Sequence, residues 1–223
     1  MLCKKDQLLY LDCADDHYEL IPTPKDMPPY RIAIFFSGLQ RSLQNSAYNA
    51  RVDECKAAAF ALKAYAGMPY GKLKDTHLRD VPPAIFYQYG ERLPEPWLKR
   101  ATHFYTELAR AEAGAEAWRN GDLQEYGRLV FESGYSSVNN YECGSPELIR
   151  LYEIMRHTDG IYGGRFSGAG FKGCCMALID PAYAESIERQ VEQEYLASFP
   201  ALRGKYQFAL CESADGVLKE LEE

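Results

Sequence analysis

The sequence predicts an α+β fold, and three observations carry that expectation. Short β-prone apolar runs and long stretches of helical periodicity share one chain of 223 residues. They do not alternate at the regular spacing of a doubly wound sheet. Neither an internal repeat nor a low-complexity linker interrupts the chain, so residues 1–223 read as one continuous domain.

The elements follow in order. Residues 8–12 (LLYLD) form a short apolar strand, after which Pro22, Pro24, Pro28 and Pro29 punctuate a connection that cannot be helical. Residues 31–36 (RIAIFF) are β-prone and end at Ser37-Gly38. A run apolar at successive positions fits a strand covered on both sides, or one leading into a site. Over 46–64, Val52, Cys55, Ala59 and Leu62 recur at threes and fours, which is a helical face. A turn-rich stretch over 67–71 precedes two short segments of undecided type, 78–81 and 84–90.

Residues 94–119 read as a long helix, Gly121 as a separator, and Leu123 to about Ser133 as a second helix. Ser145-Pro146 places a capping residue before a proline at the first helical position. Leu148, Leu151, Tyr152 and Met155 make that helix's apolar stripe. A glycine-rich loop over 160–173 leads to a strand at 174–179. Pro181 opens a helix to about Leu196, residues 206–211 form a last strand, and Ser213 is expected to cap a short terminal helix.

Composition narrows the function classes. The chain is 47% hydrophobic and 26% charged, with a formal net charge of −7. That balance argues against an extended nucleic-acid footprint and against disorder. No apolar run approaches the roughly 20 residues that span a bilayer, and no leader pattern opens the chain. The seven scattered cysteines include no CxxC and no histidine at metal-ligand spacing. Reduced cysteines, a cytoplasmic protein and no metal site are the expectation.

Two segments could carry chemistry. Residues 168–173 (GAGFKG) match GxGxxG literally, but a dinucleotide site needs a helix after the glycines. Here a strand-like run follows, so the segment reads as a tight turn joining strands at 164–167 and 174–179. Six glycines between 160 and 173 exceed what a plain hairpin requires. Both a positive-φ connection and a close backbone approach to a ligand remain open. The second segment, 37–51, runs from a strand end into a helix, where polar side chains often meet ligands. Arg41 offers a planar donor fork and Tyr48 a hydroxyl, both suited to a sugar or carboxylate. Surface charge and a core tyrosine would explain the same residues. No nucleophile–base pair stands out, and His103, alone on a helix, reads as structural.

Taken together, these segments resemble the C-terminal part of the GHMP-superfamily sugar kinases, the galactokinase group in particular. LLYLDC at 8–13 is similar to the family's LLIDC strand, and SAYNARVDEC at 46–55 to its SEYNxRRxxC helix start. LRDV (78–81), KRATH (99–103, family RAxH) and Glu107 follow, then Glu132-Ser133. YECGSPEL (141–148) resembles YEVSCPEL, and GIYGGRFSGAGFKGC (160–174) resembles GVYGxRMTGGGFGGC. There are departures. Ser37-Gly38-Leu39 stands where galactokinases have SNV or SNF, Gly134 replaces the histidine of an ESH triplet, and Asn139-Asn140 replace a DD pair. Residues 140–145 and 165–171 look closer to the galacturonokinases, whose substrate carries a carboxylate.

The resemblance implies a mixed or antiparallel sheet packed with helices, and ATP-dependent phosphorylation of galactose or galacturonate at the C1 hydroxyl. Tyr48 would contact a sugar hydroxyl with Arg41 nearby, and Ser167, Gly168, Ala169 and Gly170 would lie beside the nucleotide. ATP and Mg²⁺ are expected for the complete family enzyme, with no cofactor assigned to this chain by itself. The family's PxxxGLSSSA, GRxxxxGEH and GxMDQ segments do not occur in these 223 residues. Met1 is therefore expected to be an internal start, no catalytic residue is expected within this chain, and the fragment is expected to need a separate N-terminal kinase half. The alternative is an inactive sugar-binding or regulatory module, or a truncated-gene relic. An apolar surface along 31–36 and the glycine loop should be left uncovered, to be buried in a homo-oligomer or to limit solubility.

Overall fold

A computed structural model of the protein describes residues 2–39, 46–168 and 170–216. The chain divides into two compact units. One, the sheet unit, comprises Met1–Gln40, Arg110–Gly134 and Gly144–Glu223; the other, the helical unit, comprises Arg41–Ala109 and Tyr135–Cys143. Mixed helices and antiparallel strands make this an α+β fold, as the sequence predicts.

In the sheet unit, β1 (Gln7–Leu11) pairs antiparallel with β2 (Tyr18–Pro22), with Leu9 opposite Leu20. The sequence reading has no β2, because Pro22 and its neighbours suggested a bare connection. Proline is tolerated at the end of a strand in so short a sheet, and Asp16 makes the turn with a φ of 58°. The larger sheet runs in the order β4 (Ile161–Phe166), β5 (Cys174–Ile179), β3 (Arg31–Phe36), β6 (Gln207–Cys211). All its neighbours are antiparallel.

Register assigns the two faces of this sheet. Ala33 faces Ala177 and Phe35 faces Cys175, and all four are buried with Ile179. Helix α5 (Pro146–Met155) packs on β4, β5 and α6 (Ala184–Ser198). Leu148, Leu151, Ile154 and Met155 from α5, and Ile187, Val191 and Tyr195 from α6, are buried as well. Ser145 caps α5 as expected, its hydroxyl accepting from Leu148 N–H at 3.3 Å. The opposite face carries Ile32, Ile34, Phe36, Met176 and Leu178, none of them fully buried.

A second apolar cluster lies under the β1–β2 hairpin: Ile21, Met27, Ala115, Trp118 and Leu123, with Leu8, Tyr30 and Tyr126 against it. Ala115, Trp118, Leu123 and Tyr126 come from two helices with residues in both units, α3 (Glu95–Arg119) and α4 (Leu123–Asn139). Helix α4 lies on β4 at a glycine pair. A Cβ on Gly127 would meet the Tyr162 carbonyl oxygen at 2.1 Å, and one on Gly163 would meet the Gly127 carbonyl oxygen at 2.2 Å. Helix α4 also runs six residues beyond the predicted end at Ser133. Gly134 does not stop it but makes room, since a Cβ there would lie 2.4 Å from the Tyr152 ring.

The last predicted helix takes a different form where it is described. Residues 212–216 are not helical, and Ser213 is no cap. Its hydroxyl accepts from Asp6 N–H and donates to the Asp6 carboxylate, both at 2.9 Å. Residues 217–223 lie outside the described residues.

The helical unit contains α1 (Ser46–Tyr65), α2 (Pro83–Tyr89), the first part of α3 and the end of α4. Ala58, Ala59, Leu62, Leu78, Val81, Phe86, Ala101 and Tyr105 form its core. The Tyr105 hydroxyl donates to the carbonyls of Leu78 and Val81 at 3.1 and 3.0 Å. That buried anchor fixes the segment whose type the sequence left undecided. Among the described residues, no helix is long and apolar enough to cross a membrane.

The glycine pair predicts an asymmetric mutational response. Gly127→Ala and Gly163→Ala should each lower unfolding stability by about 1–3 kcal/mol or more, because backbone must move to admit the methyl group. Gly71→Ala, whose Cβ would meet open space, should stay within about 0.5 kcal/mol of wild type. Urea denaturation of the three variants is the check; equal midpoints would contradict the close approach.

Candidate functional site

The connection between β4 and β5 is the glycine loop, residues 167–173. Ser167 N–H donates to the Cys174 carbonyl at 3.0 Å, closing an antiparallel hairpin. A strand follows the glycines, as expected, and the geometry of a dinucleotide site is absent from this loop. Gly168 and Gly170 take φ values of 75° and 77°, a region strained for any side chain.

Buried polar groups hold the loop from behind. The Ser37 hydroxyl and Ser37 N–H both donate to the Gly173 carbonyl, at 2.7 and 2.9 Å. Ser145 N–H donates to the Gly170 carbonyl at 3.0 Å. Ser37 is wholly buried, and its own carbonyl accepts from the Tyr195 hydroxyl at 2.8 Å. Burial pushes the Tyr195 phenol well above its ordinary pKa, which keeps it a donor. Gly38, next in the chain, has a φ of 86°, and a Cβ there would meet Lys205 at 2.9 Å. That explains the glycine at the position of the family's SNV or SNF. Two loop carbonyls are thus occupied by internal donors, and positive-φ glycines can turn backbone N–H groups outward.

Beside the loop, the Arg165 guanidinium on β4 donates to the hydroxyl of Ser133 on α4. Tyr152 donates to the Phe131 carbonyl at 2.6 Å while its ring fills the space beside Gly134. The family's ESH triplet is therefore represented here by a serine held by arginine and a glycine replaced in space by tyrosine.

The helical unit holds a separate charged centre. Arg100 on α3 has a side chain only 1% exposed. It donates to Glu54 at 2.5 Å, to Glu142 at 2.6 Å and to the Asn140 carbonyl at 2.5 Å. Glu142 also accepts from Lys99 at 2.8 Å and takes a φ of 53°. The hydrogen bonds from Lys99 and Arg100 hold its carboxyl down at about 2. Arg100 therefore clamps a strained turn from two sides. Burial pushes the thiol of nearby Cys55 up to about 11, which favours the protonated form. His103 has its Nδ1 2.9 Å from the Ser136 hydroxyl and packs on Tyr141.

Of the residues singled out from sequence, Ser167, Gly168 and Gly170 come together in the loop. Arg41 and Ala169 lie outside the described residues. Tyr48 falls in the first turn of α1, and its side chain also lies outside them. The Arg100 centre escaped sequence reasoning, because its carboxylate partners stand 46 and 42 positions away. Arg100, Glu54 and Glu142 each fall in a segment that resembles a family motif, KRATH, SAYNARVDEC and YECGSPEL, but nothing in those segments says that the three meet.

Comparison with known proteins places this geometry. Residues 112–197 match the family described as GHMP kinases C terminal. The chain is 41% identical over 213 residues to a galacturonokinase of Arabidopsis thaliana, covering 93% of this chain and 50% of that protein. It is 34% identical over 215 residues to a galactokinase of Roseiflexus sp. (strain RS-1), covering 96% and 52%. The crystal structure of Lactococcus lactis galactokinase complexed with galactose superposes with a TM-score of 0.81 at 26% identity, covering 96% and 52%. Residues 112–197 carry the C-terminal domain of the GHMP kinases. The chain spans about half the length of each of these relatives. In this GHMP kinase domain the matched residues 112–197 include α4, α5, the glycine loop and most of α6.

The Arg100 centre generates a pH prediction. Glu142 has a folded pKa of about 2 against an ordinary 4.5, so it stabilises the fold above pH 4.5. That contribution disappears as pH falls toward 2. Between those values the wild-type urea midpoint should drop more steeply than that of Glu142→Gln. Arg100→Met, which leaves Glu54 with Arg51 and Glu142 with Lys99 and Arg51, should cost about 1–3 kcal/mol at neutral pH. Parallel pH profiles for wild type and Glu142→Gln would contradict the assignment.

Proposed function

We propose that this chain supplies the C-terminal half of a cytoplasmic sugar kinase that phosphorylates galacturonate at C1, the remainder of the site coming from a part equivalent to the N-terminal half of its relatives. The observation that carries the reading is the 41% identity to a galacturonokinase over nearly the whole chain, together with about half coverage of that relative. The C1 hydroxyl oxygen attacks the γ-phosphorus of ATP, the bond to the β–γ bridging oxygen breaks, and ADP leaves. The hydroxyl proton passes to a base in the N-terminal part, where the family's GxMDQ aspartate belongs. In such transfers the protein mainly positions groups and stabilises charge.

Three roles fall to this chain. Tyr48 contacts a sugar hydroxyl, and Arg41 pairs with the uronic carboxylate through a charge-assisted fork. The loop residues Ser167, Gly168, Ala169 and Gly170 form the site floor beside the nucleotide phosphates. Among the described residues no group of three or more His, Cys, Asp or Glu side chains could hold a metal ion. The Mg²⁺ that bridges phosphates in such reactions is accordingly assigned to no side chain here.

The test is reconstitution. The purified chain alone should produce no sugar phosphate from ATP and either galacturonate or galactose. Adding the separately expressed N-terminal half of the Arabidopsis galacturonokinase should restore turnover, with galacturonate preferred. Arg41→Gln in the reconstituted pair should lower kcat/KM for galacturonate by about 10- to 100-fold, the worth of a hydrogen bond to a charged group, and spare galactose. Turnover by the chain alone would overturn the division of labour. Equal losses on both sugars would remove Arg41 from carboxylate recognition.

A further inference from the structure

Every member of the Arg100 centre belongs to the helical unit, and the phosphoryl transfer itself uses none of them. A buried guanidinium is a weak stabiliser, because desolvation offsets most of its attraction to carboxylates. Its distinctive property is direction, since the planar fork makes its bonds at fixed angles. Arg100, with a side chain 1% exposed, aims Nε at Glu54 on α1, Nη2 at Glu142 and Nη1 at the Asn140 carbonyl. Arg51, one turn before Glu54, reaches the same segment from α1. Its Nη2 donates to the Glu142 carbonyl at 3.3 Å, and its Nη1 lies 3.3 Å from the Glu54 carboxylate.

Apolar packing does not do this work at the start of α1. Among the described residues of that helix, the fully buried ones begin at Ala58 and continue with Ala59 and Leu62. The turns before Ala58 are tied to α3 and to the turn after α4 by the bonds of Arg51 and Glu54. A satisfied polar network of this kind specifies one arrangement of the elements it joins. Residue 48 stands one turn before Arg51 and two before Cys55, on the same helix face.

We infer that Arg100 is a positioning residue for the sugar contact: acting through Glu54, it fixes the rotation of the α1 turns that carry Tyr48. The inference rests on the proposed function for the contact itself, and it adds the group that holds the contact in place. Lysine at position 100 would keep the charge and lose the fork, so charge balance and orientation separate experimentally. Arg128 on α4, 54% exposed and paired with Glu125 and Glu132, offers the same chemistry on an open surface and serves as the control.

The first measurement uses the chain alone. Amide hydrogen exchange over 49–57 should quicken about tenfold in Arg100→Lys and in Glu54→Gln, as a local opening would, while α6 exchanges as in wild type. Unchanged exchange over 49–57 would overturn the proposal. So would a uniform rise through both units, which marks a purely structural residue. Should Arg100→Lys fail to fold, Glu54→Gln, which keeps size and shape, carries the same test. The second measurement uses the pair reconstituted with the N-terminal half of the Arabidopsis galacturonokinase. Both variants should raise KM for galacturonate about tenfold, the loss of one hydrogen-bonded contact, and leave KM for ATP unchanged. The double variant should be no worse than Arg100→Lys alone, because both changes remove one tie. Arg128→Gln should keep wild-type exchange and KM. A lowered urea midpoint with unaltered KM for galacturonate sinks the positioning role, as does an additive double variant. The kinase reading fails separately, by absence of turnover in the wild-type pair; exchange over 49–57 then still decides whether Arg100 orients α1.

Discussion

The backbone contact between Gly127 and Gly163 sets the geometry on which the sheet unit depends. Each glycine lies where the other residue's Cβ would have to be, so helix α4 rests on β4 with no side chain between them. Three consequences follow from that separation. Arg165, two residues along β4, reaches the Ser133 hydroxyl on the helix. Tyr126 and Val130 on α4 form one wall of a cavity. The same strand then enters the glycine loop, so the loop leaves the sheet at a height fixed by the helix.

The two units hold their functional segments by different physics. In the sheet unit the glycine loop is pinned by neutral hydrogen bonds through buried Ser37 and Tyr195. Each is worth about 1 kcal/mol net, but leaving one buried partner unsatisfied costs more. In the helical unit the turn at 140–142 is held by a buried guanidinium shared between two carboxylates and a carbonyl. A buried ion pair is a weak source of stability, because desolvation offsets most of the attraction. Its effect here is positional: it keeps Glu142 in the left-handed region that a non-glycine residue otherwise avoids.

What was legible in the sequence follows from how local each signal was. Strand β5, the cap and stripe of α5, and the hairpin character of the glycine loop all depend on residues within a few positions. Those were read with the right bounds or nearly so. Strand β2 was hidden because its stability comes from pairing with β1 and from burying Ile21 beneath the hairpin. Its terminal proline argued the other way. The expected cap at Ser213 failed for the same kind of reason. A serine hydroxyl takes whichever partner tertiary structure offers, and here that partner is Asp6, 207 positions away. The Arg100 centre shows the limit most sharply. Its three members lie in three separate family-like segments, and what unites them is a tertiary contact that brings α1 and the turn after α4 to α3.

Gly134 joins these levels. Read as sequence, it is the loss of a histidine from a family triplet. In the structure the missing side chain's space is occupied by the Tyr152 ring, whose hydroxyl is satisfied by the Phe131 carbonyl. The change is therefore an exchange between two helices. A histidine at 134 cannot be accommodated while Tyr152 keeps its rotamer, and removing Tyr152 would open a cavity beneath Phe166, which its ring contacts at 6.1 Å between centroids. Phe166 is the last residue of β4 before the loop. The same packing that excludes a histidine thus supports the strand end from which Ser167 and Gly168 emerge, and a change of polar chemistry at 134 is coupled by sterics to the position of the glycine loop.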